Sequence, residues 1–124
     1  MRIIETKEAP AAIGPYSQAI VAGGFIYTSG QIPIDPVSGV IEASGIEEQT
    51  RQVIKNLEAV LKASGSSLER VVKTTCFLKN ISDFAVFNSI YAEAFTSKPA
   101  RSCVEVAALP KGALVEIEVI AETE

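Results

Sequence analysis

The chain contains no histidine. This removes the commonest general base and the commonest metal ligand. Ser-His and Cys-His nucleophilic catalysis are excluded within it, and acid–base work falls to carboxylate, Tyr, Ser, Lys, Cys or water. Cysteine is nearly absent too. Cys76 and Cys103 sit in strand-like apolar runs, and their spacing fits neither a metal motif nor a redox pair. Cys76 reads as a buried small hydrophobe. Cys103 lies two residues after Arg101, which in an extended strand puts both side chains on one face. No apolar run is long enough to cross a bilayer. The first residues, Met1 to Glu8, are charged and carry no apolar signal segment, so the cytoplasm is the expected location. Positive charge is in the minority, with 11 Lys and Arg against 15 Asp and Glu, a net charge of −4. That balance argues against a nucleic-acid partner. Arg51, Lys55 and Lys62 do share one helix side, but Glu58 interrupts them and the row reads as a solvated face.

What remains is a chain of 124 residues, 48% of them apolar, enough for one packed domain over residues 1–124. No repeat, low-complexity tract or linker divides it. Gly23-Gly24 separates two β-prone runs, Ala19 to Val21 and Phe25 to Thr28, and predicts a tight hairpin. Ser44 to Glu47 fits a capping box, and Ile46, Val53, Ile54, Leu57, Val60 and Leu61 then recur at helical spacing up to Ser64, before Gly65. Val71 to Leu78 is rich in β-branched residues and reads as a strand. A second helix is expected from about Asp83 to Phe95, capped by Ser82, with Phe84, Phe87, Tyr91, Ala94 and Phe95 on one stripe. Ser102 to Val106 and Leu114 to Ala121 are the last strands. The order β-β-α-β-α-β-β predicts an α+β fold, two helices on one face of a mostly antiparallel or mixed sheet. Phe77 or Val72, with Val104 and Ile117, is expected on the uncovered face, whose apolar character suggests self-association.

Several residues could carry chemistry. Arg101 stands in an apolar strand start, where Arg rarely lies without a carboxylate partner. Its planar fork binds a carboxylate bidentately. The partner could be a ligand, or Glu105, Glu116 or Glu118 in a structural salt bridge. Glu116 and Glu118 alternate with Val115, Ile117 and Val119, so both carboxylates share one strand face. Tyr16 follows Gly14-Pro15, a turn that would present its ring. Ser29-Gly30 ends a strand, where Gly allows a ligand close to the backbone. Asn88 lies on the apolar stripe of the second helix. Its amide must therefore find partners, either by tying down neighbouring backbone or by ordering a loop at a site.

Four segments occur in order: Gly14-Pro15-Tyr16-Ser17-Gln18-Ala19, Thr28-Ser29-Gly30-Gln31-Ile32-Pro33, Pro99-Ala100-Arg101-Ser102 and Val115-Glu116-Ile117-Glu118. Together they resemble the RidA family, also called YjgF or L-PSP, from about Ala9 to Ala121. The resemblance implies a chorismate-mutase-like fold in a homotrimer, with sheets facing a central β-barrel and clefts between subunits. It also implies hydrolysis of reactive enamines and imines of 2-keto acids (2-aminoacrylate/2-iminopropanoate and 2-iminobutanoate) to the keto acid and ammonia. Arg101 would grip the substrate carboxylate and Glu116 would position the attacking water, ionised near the Arg. Tyr16, Ser29, Gly30, Asn88 and Cys103 would line the cleft, with no metal and no organic cofactor needed. The family's Pro-Ala-Arg-Ser motif often follows an aromatic residue and a slightly longer loop. Here Thr96-Ser97-Lys98 precedes it, a departure by which Lys98 would change the cleft rim and with it the substrate preference. Two other functions are compatible with the resemblance. One is endoribonuclease, against which the missing His and basic groove argue. The other is a non-catalytic keto-acid-binding or chaperone-like trimer.

Overall fold

The two glycines between the first β-prone runs both take positive φ, 59° at Gly23 and 83° at Gly24, the backbone a two-residue hairpin turn demands. In the computed structural model, which describes residues 1–124, they join β2 (Ala19–Ala22) to β3 (Phe25–Thr28). A strand the sequence analysis did not anticipate, β1 (Arg2–Ile4), pairs with β2. Three residues are too few for a readable alternation, and only pairing makes them a strand. The rest follow as α1 (Ile46–Ala63), β4 (Val71–Leu78), α2 (Phe84–Ala94), β5 (Ala100–Glu105) and β6 (Val115–Glu122).

The strands form one sheet in the order β1-β2-β3-β6-β4-β5. Every pairing is antiparallel except β4–β5, which is parallel and connected through α2. The mixed sheet with two helices on one face is the α+β arrangement expected. Alternation along β6 puts Val115, Ile117, Val119 and Ala121 on the helix side, where all four are buried. They pack with Thr74, Cys76 and Leu78 of β4 against Val53, Leu57, Val60 and Leu61 of α1 and Phe87 and Tyr91 of α2. Ile117 thus belongs to the helix side, which corrects its expected place on the uncovered face. The sequence pattern fixed its parity with Val115 and Val119 but not which side of the sheet that parity meets. Val104 is exposed as expected, and of the two alternatives it is Phe77 that shares its face; Val72 is exposed at the β-bulge between Val71 and Lys73. On the uncovered face, Ile3, Ile20, Tyr27 and Ile120 fall in one cross-strand row, and Phe77 lies between Glu116 and Val104.

The helix starts differ from expectation. Gly45 occupies the N-cap of α1, and no side chain caps it; Glu48 instead accepts the Ser44 N–H at 3.4 Å. Ahead of α2, a 3-10 turn over Ile81–Asp83 takes the place of a Ser82 cap. Polar residues on the buried side of α1 anchor loops. Asn56 donates to the carbonyls of Ile32 and Ile34, at 3.2 and 2.9 Å, and Gln49 accepts the Leu114 N–H at 2.8 Å. The Asn56 bonds hold the segment after β3 against the body of the fold, and the Gln49 bond holds the entry to β6.

Candidate active site

Beyond β3 the chain stays extended. Gln31 exchanges backbone hydrogen bonds with Ile117, at 2.9 and 3.2 Å. This lays Gly30 directly on Glu116. A Cβ at residue 30 would collide with Glu116 Oε2 and lie 2.8 Å from its Cδ, so a side chain here and the carboxylate cannot share the space. The Ser29 hydroxyl donates to the Ser17 carbonyl at 2.6 Å, and the Ser29 N–H to the Gln18 carbonyl at 2.9 Å. These bonds bring the Gly14–Ala19 turn beside Gly30. Tyr16 stands at that turn, 49% exposed, its hydroxyl accepting the Ile13 N–H at 3.4 Å. Tyr16, Ser29, Gly30, Gln31, Ile34 and Glu116 help line a cavity of about 390 Å³. Burial, and then repulsion from Glu118 on the same strand face, push the Glu116 carboxyl above the ordinary carboxylate range. The expectation of an Arg beside Glu116 is therefore not met within one chain.

Arg101 lies elsewhere. β5 starts at Ala100, two residues earlier than expected, so Arg101 is inside the strand and faces α2. Its Nη1 donates to Asn88 Oδ1 at 2.7 Å. Its guanidinium carbon sits 4.7 Å from the Tyr91 ring centre and 5.5 Å from that of Phe84, a cation–π clamp. Beneath it, Tyr91 and Thr74 share a buried hydrogen bond of 2.7 Å. None of the three acidic residues considered as salt-bridge partners reaches it. Glu105 accepts the Ile81 N–H at 2.8 Å, and the chain's ion pairs join Arg51 to Glu47 and Glu93. Arg101 is thus fixed by two rings and one amide, with its remaining donors unused by any carboxylate. Asn88 serves the guanidinium rather than backbone or a loop. Cys103 follows on the same face, half-buried. Burial raises its thiol above the ordinary value while Arg101 pulls it down; deeper Cys76 is pushed up to about 12.

The candidate residues therefore fall into two groups. Tyr16, Ser29, Gly30 and Glu116 meet in one place; Asn88, Arg101 and Cys103 meet in another. β4 lies between β5 and β6, and Arg101 and Glu116 point to opposite faces of the sheet. Sequence reasoning did not single out the Thr74–Tyr91 pair, although Tyr91 on the stripe one turn from Asn88 signalled it. It also passed over Gln18, whose buried side chain bonds Thr6 and Pro10 and straps down the N-terminal segment. No three Cys, Asp or Glu side chains converge as they would around a metal ion, and no helix is long and apolar enough to cross a membrane.

Residues 6–123 match the family described as Endoribonuclease L-PSP. The human 2-iminobutanoate/2-iminopropanoate deaminase is 50% identical over 121 residues, covering 97% of this chain and 88% of that protein. A RutC family protein of Pyrococcus horikoshii is 55% identical over 123 residues, covering 98% of each. Among solved structures, Escherichia coli TdcF with bound serine superposes with a TM-score of 0.95 at 41% identity, covering all of both chains. The chain belongs to the RidA (YjgF/L-PSP) family.

Proposed function

We propose that this protein is a hydrolytic deaminase of 2-imino acids, releasing a 2-keto acid and ammonia. 2-Iminopropanoate and 2-iminobutanoate, the tautomers of 2-aminoacrylate and 2-aminocrotonate, are its substrates. The observation that carries the reading is Arg101. It is a guanidinium held rigid on Tyr91, Phe84 and Asn88 without a carboxylate of its own, as a binder of a substrate carboxylate requires. The activity named for the human relative and the serine bound to TdcF support a small amino- or imino-acid ligand.

The separation of the two groups supports a site shared between copies. In this reading three chains associate through the uncovered sheet faces around a central barrel, burying the row of Ile3, Ile20, Tyr27 and Ile120. The Arg101 group of one subunit then meets the Glu116 group of the next. Arg101 holds the substrate carboxylate. Backbone groups at Ser29-Gly30 and Cys103 hold the imine end, and Tyr16 closes the cleft. Glu116 takes a proton from a water whose oxygen bonds to the imine carbon. The imine nitrogen takes up that proton to give the carbinolamine, whose hydroxyl proton then passes to nitrogen as the C–N bond breaks, leaving the 2-keto acid and ammonia. Imines already hydrolyse in water, so positioning and one proton transfer, worth roughly 10²–10⁴-fold for the acid–base part, suffice. The test is the decay of 2-iminopropanoate, generated by an amino-acid oxidase, with and without the protein. Unchanged decay beside a folded trimer would remove the deaminase reading and leave a non-catalytic binding protein or the RNA cleavage considered next. The family description supports a second reading, RNA cleavage, which an RNA degradation assay with wild type and Arg101→Ala side by side decides. Cleavage equal in both would point to a contaminant.

Two further outcomes follow from the Glu116 side. Gly30→Ala places a methyl group where the carboxylate sits, so Glu116 must swing away while the core is untouched. The expected result is a fall in kcat of about tenfold or more with a nearly unchanged Tm, since misplacing a reacting group by about 1 Å can cost 10²-fold. Steady-state kinetics and a thermal melt check it. Glu118 disfavours ionisation of Glu116, so Glu118→Gln moves the acidic limb of the kcat/KM profile to lower pH. The same raised carboxyl binds its proton more tightly folded than unfolded. Its contribution to stability therefore falls as pH rises from 4.5 through its folded value, and Glu118→Gln narrows that window. A limb that stays in place would mean Glu116 is not the base.

A further inference from the structure

We infer that the half-site around Arg101 is built for a dianion, so that imines of 2-oxo-dicarboxylic acids are among this protein's substrates, with Lys98 taking the second carboxylate. The inference rests on the deaminase reading above and extends it to a substrate class. Asn88, Tyr91, Phe95, Lys98, Pro99 and Arg101 line most of a cavity of about 580 Å³. No Asp or Glu lines it, and neither Lys98 nor Arg101 enters an ion pair, the chain's two being made by Arg51. In a chain of net charge −4, two unpaired cationic residues in the wall of one acid-free cavity concentrate positive potential where a ligand enters. One monocarboxylate would occupy Arg101 and leave Lys98 idle.

The backbone gives the second observation. Lys98 has φ 55°, one of two non-glycine residues with positive φ, and sits immediately before Pro99. Any non-glycine residue is uncommon in that region, where Asn, Asp and His are the enriched exceptions. Its N–H closes the turn onto the Phe95 carbonyl at 3.2 Å, so the turn needs the backbone and not this side chain. Lys111 takes the same conformation, φ 56°, away from this cavity, so what sets Lys98 apart is its place beside Arg101 in the cavity wall. The reaction is the same hydrolysis: water adds to the imine carbon, the C–N bond of the carbinolamine breaks as its hydroxyl proton passes to nitrogen, and a 2-oxo-dicarboxylic acid and ammonia result.

The experiment compares kcat/KM for 2-iminosuccinate and 2-iminopropanoate, generated from aspartate and alanine by amino-acid oxidases, in wild type, Lys98→Asn and Lys98→Arg. Asn tolerates the positive φ and removes only the charge and the reach. The dicarboxylic-to-monocarboxylic ratio should fall about fivefold in Lys98→Asn, the upper end for an exposed charge pair. It should persist in Lys98→Arg, and in wild type shrink as ionic strength rises. A wild type that accelerates only 2-iminopropanoate, or a ratio unchanged in Lys98→Asn, overturns the inference. If wild type accelerates neither imine, the deaminase reading fails, and calorimetric titration with succinate and butyrate decides the dianion site alone. A succinate preference lost in Lys98→Asn upholds it, and equal binding of the two acids overturns it.

Discussion

Arg101→Ala is expected to lower kcat/KM for 2-iminopropanoate by about 10²-fold or more, because truncating one partner of a hydrogen-bonded charge pair costs roughly 2–5 kcal/mol and each 1.4 kcal/mol is tenfold. Arg101→Lys should recover little of this. A lysine keeps the charge but has neither the fork that grips both carboxylate oxygens nor the flat surface that rests on Tyr91 and Phe84. The truncation removes the Asn88 bond and the ring contacts but no ion pair, and the Thr74–Tyr91 bond beneath stays in place, so the loss of activity should far exceed the loss of stability. Near wild-type melting of the variant separates the two causes. A wild-type kcat/KM in Arg101→Ala would remove Arg101 from the site.

Mixing two dead variants should restore activity. Arg101→Ala retains Glu116, and Glu116→Gln retains Arg101. If each site takes Arg101 from one subunit and Glu116 from its neighbour, equal mixing leaves about a quarter of the sites with both groups intact, the product of two independent halves in a ring of identical interfaces. The mixed sample should therefore reach roughly a quarter of wild-type activity, while each variant alone shows almost none. Differently tagged subunits, unfolded together and refolded, provide the exchange, and pull-down of one tag by the other verifies it. Exchange without restored activity would place the whole site in one chain, against the opposite facing of Arg101 and Glu116 in the sheet. The result is independent of imine chemistry beyond the need for any turnover to measure, so it tests the architecture of the site separately from the choice of substrate.

Much of the local structure was legible because it depends on near neighbours. The Gly23-Gly24 turn, the apolar stripe of α1 and the alternation of β6 are properties of a few consecutive residues, and each appears in place. The three-residue β1 was not legible, because its strand character comes wholly from pairing with β2, far along the chain. Nor was the cap of α1: Ser44 and Glu47 have the right spacing, but Gly45 with its positive φ takes the cap position itself. Ile117 shows the same limit at the scale of a sheet, since its alternation is readable and the side covered by helices is not.

The site divides in the same way. Arg101, Glu116, Tyr16, Ser29, Gly30, Asn88 and Cys103 are visible in the sequence as residue types in motif positions, and those motifs determine the family. Which of them meet is decided by the strand order β3-β6-β4-β5, which sets Gly30 on Glu116 and turns Arg101 toward α2. A strand's own residues fix the parity of its side chains. Only packing against other elements decides which parity faces the helices, and only the long-range pairing of strands decides which carboxylate and which guanidinium a ligand could touch together.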